Sequence, residues 1–178
     1  TLRDAAEAEE AAARDSARAA LQQAAVTRVQ TALDSGSPFA DALADLRETG
    51  VEVPAALADT AESGVPTQGA LTDSFPDAAR DALSTVRDTN DGLGAVEIGQ
   101  FFRNQLGMRS LVPREGDSVD AILSRAEAAL RDGRLGAALT EVESLPEDAR
   151  TALDEWVARA TQRQEALSAA AALADRLN

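Results

Sequence analysis

The chain has 178 residues, with 17 Lys+Arg (every one of them Arg) against 31 Asp+Glu, for a net charge of −14. It contains 40 Ala and a single Trp, and no Cys, His, Lys or Tyr. These counts exclude a Ser-His-Asp triad, a thiolate nucleophile, a Schiff-base or phosphate-loop lysine and any disulfide, and a zinc site would have to be built from carboxylates alone.

Ala, Leu, Glu, Arg and Gln dominate, and all favour helix, whereas Val, Ile and aromatic residues are sparse. The expected fold is all-α: a long coiled-coil-like N-terminal helix, a multi-helix bundle of short helices, and a long C-terminal helix. Residues 1–34 hold no Gly or Pro and read as one helix with a stripe of Leu2, Ala6, Ala13, Ala17, Ala20, Ala24 and Leu33. A helix so poor in Leu buries little by itself, so it either packs closely against another copy or extends into solvent.

Gly36 stops that helix, and Ser37-Pro38 opens a second over 38–49, with Phe39, Leu43 and Leu46 on one face and Gly50 at its end. A third, 54–63, stops at Gly64, and further short helices are expected over 68–73 and from Pro76 to 88. The stretch 88–94, DTNDGLG, reads as a polar loop. It resembles a calcium-binding EF-hand loop but is one residue short before Gly92 and lacks the closing Glu. Helices follow over 95–111, over 117–132 with Asp117 or Ser118 as cap, and over 134–144 after an Asp132-Gly133 turn.

Pro146 opens the last helix, which reaches about 176 with a stripe of Ala149, Leu153, Trp156, Ala160, Leu167, Ala171, Ala174 and Leu177. Arg163 interrupts it and marks a change of neighbour, as an ion-paired residue at a helix–helix contact. Residues 164–178 then pair with a second copy or with the first helix. Trp156 reads as a core anchor, with an interface role as the other reading. The expected divisions are 1–35, 36–94, 95–114 and 115–178.

Charge is unevenly spread. Residues 98–114 carry Arg103, Arg109 and Arg114 and no acid, whereas 1–97 hold a net −11 and 115–178 a net −6. The same 17 residues contain Phe101 and Phe102, half of all the Phe, and Met108, the only Met. At about 100° per residue, Ile98, Phe101, Phe102 and Leu106 share a face with Gln105. Arg103 lies opposite, and Arg109 can extend its stem from the end of the apolar face. Basic, apolar and aromatic together describe a helix lying in a membrane interface. A core helix whose Phe pair fills an Ala-rich bundle is the competing reading.

Each buried apolar side chain is worth roughly 1.5–3 kcal/mol, and each Arg near an anionic surface about 1 kcal/mol. A body carrying −14 is repelled by that surface, so robust binding needs several copies acting together. A membrane role therefore predicts a homo-oligomer. The acidic balance disfavours nucleic acid. No apolar run approaches the roughly 18 residues of a membrane span, and the chain begins at Thr1, so a piece lacking an upstream segment is expected.

The runs SGSPFADALADL (35–46), SGVPTQGALTDSFPDAAR (63–80) and the stretch from Phe101 to Leu167 resemble the C-terminal part of an alphaproteobacterial mitofilin-family protein. The most specific part is 115–160: a Gly-Asp start, a helical pair turned by Asp-Gly, and a Leu-Pro opening the Trp-bearing last helix. The resemblance implies a membrane-shaping scaffold of the bacterial inner membrane. Its transmembrane helix would lie upstream, with this part on the periplasmic side. It also implies a lipid-binding segment just before the C-terminal domain, where 95–114 sits, and an outer-membrane or other protein partner. Ile98, Phe101, Phe102, Arg103, Leu106, Met108, Arg109 and Arg114 are the expected lipid-binding residues. Trp156, Arg163 and Leu167 are the expected interface or core anchors.

The alternative is a soluble helical adaptor without lipid binding, in which 117–144 forms a hairpin resembling a tetratricopeptide unit. No 34-residue recurrence supports an array. An enzyme is not expected. The adjacent carboxylates Glu147/Asp148 and Asp154/Glu155 point to different faces of a helix, and they suit a first turn better than acid–base work. No catalytic, metal or cofactor residue is assigned.

Overall fold

The computed structural model describes residues 1–91 and 117–177. Among them are eight helices and no strand: α1 (Leu2–Ser35), α2 (Ala40–Glu48), α3 (Ala55–Ala58), α4 (Gln68–Asp91), α5 (Val119–Arg131), α6 (Leu135–Glu143), α7 (Glu147–Thr151) and α8 (Asp154–Leu177). The expected helix over 95–111 lies outside the described residues. The chain divides into two compact units, Thr1–Thr67 with Gln162–Asn178, and Gln68–Thr161.

In the first unit, α1 docks only through its C-terminal part, where Ala25, Val26, Val29 and Leu33 are buried. The expected stripe is corrected by this. Of its residues only Leu33 is buried, and Leu2 is 93% exposed. At about 100° per residue, Leu2 to Ala24 fall on the side of the helix away from Val26 and Val29. Those two valines offer more apolar area than any alanine, and they choose the docked face. They pack with Phe39, Leu43, Leu46, Leu57 and Val65, and with Ala166, Ala170 and Leu173 from α8.

The second helix begins later than expected, because the Phe39 amide donates to the Ala61 carbonyl at 2.8 Å and the residue takes φ −140°, outside the helical range. Helix α3 is shorter than the expected 54–63. The Thr60 hydroxyl donates to the carbonyls of Ala56 and Leu57, and the chain tightens into turns. Gly64 then passes against the end of α1, and a Cβ on it would meet the Gly36 carbonyl oxygen at 2.6 Å.

The second unit pairs α5 with α6 as a hairpin. The Ser118 hydroxyl caps α5 by accepting from the Ala121 amide at 3.2 Å, and Gly133 turns the chain at φ 74°. Helix α4 corrects two expectations. It is one helix rather than two, with Pro76 inside, and residues 88–91 of the expected polar loop belong to it. Proline leaves the Thr72 carbonyl without its helical donor and costs about 3 kcal/mol. A stripe of Leu71, Phe75 and Ala82 buried on the same core runs through the break and offsets that cost. The last helix, conversely, is two. The Leu153 amide donates to the Arg150 carbonyl three residues back, at 2.9 Å, closing a tight turn between α7 and α8. That turn lets Ala149, Leu153 and Trp156 all enter the core.

Gly64 and Gly50 provide a matched test, since both have left-handed φ but only Gly64 is crowded. Gly50→Ala should cost the conformational term alone, about 1–2 kcal/mol. Gly64→Ala should cost clearly more, as measured by urea unfolding followed by circular dichroism. Equal costs would show that the Gly64–Gly36 approach relaxes freely.

Candidate functional site

The expected lipid-binding residues Ile98, Phe101, Phe102, Arg103, Leu106, Met108, Arg109 and Arg114 lie outside the described residues. Of the other features singled out by the sequence, Trp156, Arg163 and Leu167 are among the described residues, whereas 92–94 of the polar stretch and 115–116 are not.

The first is the free part of α1. Residues 1–24 are almost wholly exposed, and the two large apolar side chains left open among the described residues, Leu2 and Leu21 at 93% and 63%, both belong to it. These residues span about 36 Å at the rise of an α-helix. Local interactions support the stretch: the Thr1 ammonium and hydroxyl on Asp4 at its start, and the ion pairs Arg3–Glu7 at 3.1 Å and Arg14–Glu10 at 2.9 Å, exposed pairs of a kind worth about 0.3–0.5 kcal/mol each. Its helicity rests on alanine propensity and on the docked turns that continue it.

The second is Arg163, only 6% exposed. It is the charged residue on the buried stripe of α8, following Ala160 and preceding Ala166. An ion pair was expected, but backbone carbonyls hold it instead. Nη1 donates to the Leu33 carbonyl at 2.7 Å and to the Pro66 carbonyl at 3.0 Å. The last turn of α1 has no basic residue of its own. Arg163 supplies the cation that the carbonyls at a helix C-terminus favour. Burial pushes its pKa down and the nearby Asp34 opposes the shift. Nε is buried with no hydrogen-bond partner among the described residues. Leu167 sits half-buried beside the same core.

The third is Trp156, 3% exposed. Its ring meets Phe75 edge-on, with centroids 4.9 Å apart at 69°. Its indole N–H donates to the Leu71 carbonyl at 3.0 Å. The same carbonyl accepts from the Ser74 hydroxyl, one turn before Pro76. Nearby, the Gln68 amide donates to the Leu130 carbonyl at 2.9 Å and ties the start of α4 to the end of α5.

The chemistry available elsewhere is slight. Glu147 and Asp148 occupy the first turn of α7, and Asp154 and Glu155 that of α8, all exposed. No cluster of metal-binding side chains occurs among the described residues. A cavity of about 330 Å³ opens at the start of α2, lined by Arg28, Pro38, Phe39, Asp41 and Glu62. Arg28 is engaged by Asp45, and the start of α2 has no side-chain cap.

Arg163→Met should leave the Leu33 and Pro66 carbonyls buried and unpaired, at a cost of about 1–3 kcal/mol for each orphaned group. Arg150→Ala, on an exposed side chain, should change stability by under about 0.5 kcal/mol. Urea unfolding of both variants checks this, and a neutral Arg163→Met would show that water replaces the guanidinium. Trp156→Phe should cost about 1 kcal/mol for the lost hydrogen bond plus a term for the smaller ring, and Trp156→Ala about 3–5 kcal/mol. Thermal unfolding read by circular dichroism separates the two.

Compared with protein-family models, with curated proteins and with solved structures, the chain matches none.

Proposed function

We propose that this chain is the C-terminal part of a mitofilin-like scaffold that shapes the bacterial inner membrane from its periplasmic side. It binds anionic lipid through 98–114 and self-associates through α1. The observation that carries the reading is the charge island: a 17-residue segment at +3, with half the Phe and the only Met, in a chain of −14. An acidic body tolerates such a segment against a membrane when apolar insertion and local Arg contacts outweigh the long-range repulsion. The exposed arm of α1 supports the second half of the proposal, because it offers small side chains on a helix that nothing covers among the described residues. Several lipid-binding segments on one oligomer then act at high effective concentration. No catalytic role, cofactor or nucleic-acid partner belongs to this proposal, and a further protein partner rests on the family resemblance alone. No helix among the described residues is long and apolar enough to cross a membrane, so in this reading the span is supplied from elsewhere in the protein.

The second reading, a soluble helical adaptor without lipid binding, is favoured by the α5–α6 hairpin, whose two short helices turn at Gly133 as in tetratricopeptide units.

Vesicle co-sedimentation separates the two readings. The parent chain should pellet with vesicles containing phosphatidylglycerol and remain in solution with purely zwitterionic ones, and its binding should weaken as salt rises. Phe101→Asp with Arg103→Glu should reduce binding at least about a hundredfold. Equal binding by parent and double variant, with the near-ultraviolet signal of Trp156 preserved in both, would remove 98–114 as the lipid site. Absence of binding by the parent would favour the adaptor.

Self-association has its own test. Sedimentation equilibrium over a range of concentrations should show a mass that rises above the monomer. Ala13→Glu with Ala17→Glu should return it to the monomer without loss of helicity, because both positions are exposed. A parent chain that stays monomeric at high concentration would overturn the self-association half alone.

A further inference from the structure

We draw no further inference here: the strongest candidate, the cavity at the N-terminus of α2 between Arg28, Asp41 and Glu62, rests on an uncapped helix start and exposed charges of both signs, with no buried unpartnered side chain aimed into it to say what it would hold.

Discussion

A guanidinium taken out of water and placed on two backbone carbonyls is the interaction on which the first unit depends. Arg163 reaches the last turn of α1 and the loop at Pro66 with a single nitrogen. Neither acceptor is a carboxylate, so the desolvation cost is met by hydrogen bonds and by the field of a helix C-terminus, with the nearby Asp34 adding an opposite charge. One guanidinium nitrogen, Nη1, serves two acceptors that belong to different segments, and burial pushes the pKa of the group down. The apolar contacts around it are modest: from α8 the core fully buries two alanines and one leucine, with Leu167, Ala169, Ala174 and Leu177 packed partly buried against it. With so little area from side chains, the direction imposed by the hydrogen bonds matters more than it would in a leucine-rich core.

The second unit solves a related problem with a different group. An internal proline leaves α4 short of a hydrogen bond, and one turn earlier the Leu71 carbonyl is shared between the Ser74 hydroxyl and the Trp156 indole. The only tryptophan thus supplies a large ring for the core and a donor to the backbone of α4 at once. Phe75, adjacent to the proline, meets that ring edge-on. A chain with four Phe and one Trp places two of these five aromatic side chains at the same joint.

The helical class and its punctuation were legible in the sequence for local reasons. Gly36, Gly50, Gly64 and Gly133 all take left-handed φ at the ends of helices or turns, where a Cβ is costly. The Ser118 cap and the Asp132-Gly133 turn follow from the same short-range chemistry. What local rules missed was decided by tertiary packing. Pro76 reads as a helix start, yet a core stripe on both sides of it holds one helix together. Nothing between Pro146 and Leu177 signals a break, yet Leu153 turns inward and makes one. The docked face of α1 is hidden in the sequence because alanines outnumber valines and mask the phase set by Val26 and Val29. Of the candidate site residues, Trp156 and Arg163 drew notice by being a lone aromatic and a lone charge in an apolar stripe. The carbonyl partners of Arg163, 130 and 97 positions away, leave no mark on its neighbours.

The first unit is assembled from both ends of the chain, Thr1–Thr67 and Gln162–Asn178, with a contiguous second unit between them. Topology of this kind sets an order in time. During synthesis every part of the second unit has emerged before Ala166, Ala170 and Leu173 exist to complete the first core. Until then Val26, Val29, Leu43 and Leu46 await a partner separated from them by more than a hundred residues, and closing so long a loop is entropically slow. Helices α1 and α2 are made before the second unit and completed after it, and in that interval their apolar faces are open to contact with other nascent chains.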